Sequence, residues 1–111
     1  MNDCLFCKIL KGEIPSTKVY EDKSVFGFVE INPLAKEHYL FIAKNHSANF
    51  NELPEGDLIE IHKAVREFSQ SNDLEKNGYR VVTNINDHGG QSVYHTHFHV
   101  LGGEQLKSFG A

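Results

Sequence analysis

Tyr94-His95-Thr96-His97-Phe98-His99-Val100-Leu101 sets three histidines on alternate residues. The β-branched and aromatic content predicts a strand from Tyr94 to Leu101, in which neighbouring side chains take opposite faces and the three imidazoles share one, roughly 6–7 Å apart. Thr96, Phe98 and Val100 then line an apolar face, the pattern of a half-buried native strand rather than of a purification tag. Imidazole titrates near neutrality, so such a row can supply a nucleophile, a proton donor and a phosphate or metal contact. On spacing alone, catalysis and metal binding stand level, because alternate histidines can share a zinc ion; a polar face open to water is the third reading.

The residues just ahead of this strand shift the balance toward catalysis. Asp87-His88-Gly89-Gly90-Gln91-Ser92 reads as a loop whose paired glycines can take positive φ and turn consecutive N–H groups toward an anion. Gln91 and Ser92 are expected to add side-chain donors. Donors aimed at negative charge beside a nucleophilic imidazole suit phosphoryl or nucleotidyl transfer, where charge builds on non-bridging oxygens. A plain turn or bulge is the alternative for the glycine pair alone.

Upstream, the pattern predicts a short helix over Cys4 to Leu10, then strands at Val19-Tyr20 and Val25 to Glu30 joined by the polar turn Asp22-Lys23-Ser24. Tyr39 to Ala43 reads as a third strand and Tyr79 to Thr83 as a fourth. Leu58, Ile61, Val65 and Phe68 recur at helical spacing, predicting one amphipathic helix from Gly56 to about Ser71 with an apolar stripe for a core or an interface. Strands and helices alternate only in part, so the class is α+β.

With 111 residues and eight phenylalanines, the chain suffices for one core, and residues 1–111 read as a single domain. A net charge of −4, with 11 basic residues scattered along the sequence, leaves no footprint for duplex nucleic acid or an anionic membrane. No apolar run approaches the roughly 18–20 residues of a membrane span, and Met1-Asn2-Asp3-Cys4 lacks the features of a signal peptide. The expectation is a cytoplasmic protein.

Cys4 and Cys7 form a Cys-x2-Cys pair that fits half a zinc site, a redox dithiol or two small buried hydrophobes. The redox reading is the weakest, since no strand precedes the pair. His62 and His88 read as solvent-facing or locally satisfied.

The run from Gly89 to Gly103, with Ile14-Pro15-Ser16, Val19-Tyr20-Glu21-Asp22, the segment from Phe28 to His46 and Gly78-Tyr79-Arg80, resembles the histidine triad (HIT) family, most closely its Hint branch. That resemblance implies a five-stranded antiparallel sheet with one long helix and a short N-terminal helix, paired into a homodimer whose sheet runs through both subunits. It implies a structural zinc held by Cys4, Cys7, His46 and His95, with no organic cofactor. His38 matches a family histidine that contacts the first triad histidine, here His95.

The activity implied is hydrolysis of adenosine 5′-phosphoramidates to AMP. His97 would attack the α-phosphorus and form a covalent nucleotidyl-imidazole that water hydrolyses, its tautomer fixed by a nearby backbone carbonyl. His99 would hold a non-bridging oxygen or move a proton, Ser92 would serve the leaving group, and Asn84, Gly90 and Gln91 would complete the phosphate surround, with His95 the remaining triad member. Glu30 falls where relatives bind the ribose with an aspartate, and Leu5, Phe6, Ile9, Phe28 and Ile31 would form the purine slot, residues otherwise ordinary core. Hydrolysis of dinucleoside polyphosphates, or non-catalytic nucleotide binding as an adaptor, are the alternatives. Ala43 stands in place of a frequent proline, and the chain has no tryptophan, so Phe109 in the tail is the candidate to replace the one near the C-terminus of many relatives.

Overall fold

Side-chain alternation along the central strands decides how this chain is layered. The computed structural model describes residues 3–108. Phe109 lies outside the described residues. Five strands, β1 (Lys18–Glu21), β2 (Val25–Val29), β3 (Glu37–Ala43), β4 (Arg80–Val82) and β5 (His97–Gly102), form one antiparallel sheet in the order β1-β2-β3-β5-β4. The helices are α1 (Leu5–Leu10), the long α2 (Glu55–Ser71) and the short α3 (Leu74–Asn77). This is the expected α+β architecture, and among the described residues no helix is long and apolar enough to cross a membrane.

Alternate residues of the inner strands go to two separate apolar layers. Val25, Phe41, Ala43, Phe98 and Val100 pack with Ile61, Ala64, Val65 and Phe68 of α2. Phe26, Phe28, Leu40 and Ile42 pack on the other face with Phe6 and Ile9 of α1. The stripe read along α2 is therefore core. His97 and His99, interleaved with Phe98 and Val100, go to the α1 side by the two-residue period. Gly27 is needed where β2 crosses Phe41, because a Cβ there would lie 2.9 Å from the phenyl ring.

The last strand begins at His97 rather than at Tyr94. Ile42 opposite His97 is the last pair of its ladder with β3, and the preceding backbone bonds elsewhere: Thr96 N–H donates to the Ser47 carbonyl at 2.8 Å. A side-chain bond of 2.7 Å between Ser47 Oγ and Thr96 Oγ1 closes the same contact. Two short elements lie outside the sequence expectation, namely α3 and a 3-10 turn at Asp87–Gly89. The first follows Asp73, which takes a left-handed φ of 67°.

Candidate active site

The alternate histidines take three different environments, and each ring's proton can be assigned from its partners. His95 is fully buried, with Nε2 3.0 Å from the Ala43 carbonyl; the carbonyl can only accept, so the proton sits on Nε2 and Nδ1 is bare. His97 Nδ1 donates to the His95 carbonyl at 2.8 Å, which leaves Nε2 without a proton and, among the described residues, without a hydrogen-bond partner. His99 Nδ1 lies 2.9 Å from His38 Nε2. Because the Leu34 N–H donates to His38 Nδ1 at 3.0 Å, His38 carries its proton on Nε2 and gives it to His99, whose own proton is then on Nε2.

His38 therefore serves the third histidine of the row, not the first as the resemblance implied. The β3–β5 register pairs Leu40 with His99 and His38 with Leu101, so His38 is a diagonal neighbour of His99 and remote in register from His95. The row is also no open polar face: His97 is 6% exposed. Its ring centroid lies 5.1 Å from that of His99 and 5.0 Å from that of Phe6, the latter pair perpendicular.

Burial holds these rings neutral. Desolvation pushes His97 and His38 below the ordinary histidine value, and it pushes His99 down to about 4, with the neighbouring His97 and His38 adding to the effect. The Glu30 carboxylate opposes the shift in all three. An unprotonated Nε2 on His97 at neutral pH is the form a nucleophile requires.

Behind the row, four donor atoms converge. Cys4 Sγ lies 3.4 Å from His95 Nδ1, Cys7 Sγ lies 3.5 Å from His46 Nδ1 and 3.6 Å from His95 Nδ1, and the two Nδ1 atoms are 3.2 Å apart. A tetrahedral zinc with bonds of about 2.3 Å to sulfur and about 2.0–2.1 Å to nitrogen has nitrogen–nitrogen, sulfur–nitrogen and sulfur–sulfur edges of about 3.3, 3.6 and 3.8 Å, so the spacing and the donor set fit that ion. Helix α1 is tied into the cluster at both cysteines, with Cys4 at its N-cap accepting from the Cys7 N–H.

The glycine turn differs from the expected anion nest. Of the two glycines only Gly90 has positive φ, 79°, and the N–H groups of Gly89, Gly90 and Gln91 already donate to the carbonyls of Asn86 or Asp87. Gln91 is buried and its side-chain amide is saturated: Nε2 donates to the Ala48 and Val93 carbonyls, and Oε1 accepts from Asn86 N–H and Asn49 Nδ2. Gln91 thus offers no donor to a ligand. Ser92 beside it is exposed, and Asn84 Nδ2 spends one proton on the Gly89 carbonyl, leaving the other.

Of the nucleoside candidates, Phe6, Phe28 and Ile9 belong to the α1-side layer, whereas Leu5 and Ile31 are exposed and are not core. Glu30 accepts from the Asn32 N–H at 3.1 Å and lies within 4.8 Å of the ring nitrogens of His38 and His99. The sequence pattern does not single out Ser47, Ala48 and Asn49, which bond in turn to Thr96, Gln91 and both Asn86 and Gln91. Their one local signal is Asn49-x-Asn51, an Asx turn in which Asn49 Oδ1 accepts from the Asn51 N–H. Thr83, which carries no such signal, donates to the His97 carbonyl at 2.8 Å.

An antiparallel sheet carrying this histidine row on its α1 face defines the HIT class. The HIT domain model matches residues 11–106, and the chain belongs to that family. An uncharacterized HIT-like protein of Methanocaldococcus jannaschii is 41% identical over 99 residues, spanning 88% of this chain and 77% of that protein. The adenosine 5′-monophosphoramidase of Candida albicans is 38% identical over 104 residues, 88% of this chain and 68% of its own length. Among solved structures, the HIT family hydrolase from Clostridium thermocellum superposes with a TM-score of 0.93 at 41% identity, covering 100% of this chain and 99% of that one.

Proposed function

We propose that this chain is a nucleotide hydrolase that cleaves adenosine 5′-phosphoramidates to AMP through a covalent nucleotidyl-His97. The observation that carries the reading is the 2.8 Å bond from His97 Nδ1 to the His95 carbonyl, which fixes Nε2 as a neutral nucleophile. The Nε2 lone pair forms a bond to the α-phosphorus while the P–N bond breaks, and the departing amine takes up a proton supplied through the Ser92 hydroxyl. Water then attacks the phosphorus, the bond to His97 breaks with its electron pair returning to Nε2, and the proton lost by the water replaces the one given up through Ser92, releasing AMP. The His99 Nε2–H and the free Asn84 amide proton are the donors for the non-bridging oxygens. Glu30 accepts from the ribose hydroxyls, and Leu5, Phe6, Ile9, Phe28 and Ile31 flank the purine. The similarity to the Candida albicans monophosphoramidase supports this substrate class.

The cofactor in this reading is a structural zinc held by Cys4, Cys7, His46 and His95, with no open position for substrate. The partner is a second copy joined through β4, at the end of the sheet order, where Val81 is 47% exposed. Residues 1–111 act as one domain in the cytoplasm. His97→Ala is expected to lower AMP release from a lysyl or tryptamine phosphoramidate by on the order of 10⁴-fold or more while AMP binding stays measurable. Full turnover by that variant, or preferential cleavage of a dinucleoside polyphosphate by the parent protein, would overturn the reading.

A further inference from the structure

Asn86 closes the turn ahead of the histidine row in a backbone conformation that side chains rarely adopt, with φ 58° and ψ −172°. Such a conformation is strained and persists only where the surroundings over-determine it. Here they do. Asn86 N–H donates to Gln91 Oε1 at 2.9 Å while Gln91 N–H donates to the Asn86 carbonyl at 3.0 Å, so the two residues clasp the base of the turn. Asn49 reaches that clasp from the segment after β3, 5% exposed, and its single amide donates to Asn86 Oδ1 at 3.1 Å and to Gln91 Oε1 at 3.3 Å.

Each proton of one side-chain amide therefore goes to a different end of the same turn. The residues held between and beside those ends are Gly90 and Ser92, and Asn84 is tied to the turn through the Gly89 carbonyl. Asn49 contacts neither the purine-side residues nor the histidine row through any of these bonds. Both of its donated protons go to the turn that, in the reading above, borders the phosphate.

We infer that Asn49 is a positioning residue for the phosphate end of the ligand, holding the Asn86–Gln91 turn so that Ser92 and Asn84 meet the phosphate and leaving group. This inference rests on the nucleotide reading above but not on turnover. It assigns Asn49 an effect on phosphate recognition that is separable from nucleoside recognition.

The test compares AMP with adenosine as titrants. Asn49→Asp keeps the shape and the acceptor for the Asn51 N–H but removes both donated protons. Expected is a fall of about tenfold in AMP affinity, with adenosine affinity held within about twofold, and a fall in kcat larger than any rise in KM. Adding Asn86→Gly, which adopts the same φ without restraint, should recover part of the AMP affinity. Unchanged AMP affinity and kcat in folded Asn49→Asp, or equal loss for AMP and adenosine, would overturn the assignment. A parent protein that discriminates AMP from adenosine, loses that discrimination in Asn49→Asp and never cleaves a phosphoramidate would uphold Asn49 while removing the hydrolase reading. A parent that binds both ligands alike would remove the phosphate site and this inference with it.

Discussion

His38 Nε2 lies 2.9 Å from His99 Nδ1, although the strand register sets His38 opposite Leu101. Since Leu34 N–H fixes the other nitrogen of His38 as an acceptor, the proton order from Leu34 through His38 to His99 is determined and His99 is left with a donor at Nε2. In His38→Phe a buried acceptor loses its partner, which costs about 1–3 kcal/mol, and His99 is free to move its proton to Nδ1. The expected result is a drop of about tenfold or more in kcat together with a changed tautomer signature for His99 in nitrogen NMR spectra. An unaltered tautomer in the folded variant would refute this account of His38.

Acid should destabilise this fold earlier than its carboxylates alone would. Burial holds His99 at about 4 and lowers His38, whereas both titrate near 6.5 when unfolded. Between those values the unfolded chain binds more protons than the native one, so stability falls as pH drops from about 6.5 toward 4 and levels off below that. Above 6.5 both states hold neutral rings and the effect vanishes. Urea midpoints measured from pH 8 to pH 4 should stay level at first and then decline; a flat series between pH 6.5 and 5 would contradict the assignment. For the same reason the acid limb of kcat should lie below the ordinary histidine value.

The sulfur and imidazole cluster makes its own demand. Protein prepared without an affinity tag is expected to hold about one zinc per chain by elemental analysis, and Cys4→Ser with Cys7→Ser should lose the metal and lower the melting temperature. Phe6 sits between the two cysteines with its ring centroid 5.0 Å from that of His97, so loosening α1 also loosens the wall packed on the histidine row. Metal-free parent protein of unchanged melting temperature would return both thiols to ordinary packing.

Short apolar runs and one helical repeat make most of the sheet legible in the amino-acid sequence. Val25 to Val29 and Tyr39 to Ala43 announce strands as continuous apolar runs, because apolar layers cover both of their faces, and the stripe from Leu58 to Phe68 announces its helix by the 3.6-residue repeat. The histidine row and the Cys-x2-Cys pair are equally visible as chemistry. Pairing across long separations is hidden. Nothing local tells that His38 meets His99 rather than His95, because that choice belongs to the β3–β5 register. Gln91 looks like a ligand donor in a glycine loop, and only the approach of Ala48 and Asn49 consumes its amide. Propensity sets the start of β5 too early because Thr96 favours strands yet gives its N–H to Ser47.

The alternate-residue row is a repeat in spelling only. His95 and His99 keep their protons on Nε2 and His97 keeps its on Nδ1, and each choice is made by a different group: the Ala43 carbonyl and His38 from β3, and the row's own His95 carbonyl. Grafting the five residues from His95 to His99 onto another protein's sheet would carry over the carbonyl that sets His97 and leave behind the two groups that set its neighbours. A transplant that works must bring β3 with it, from His38 to Ala43.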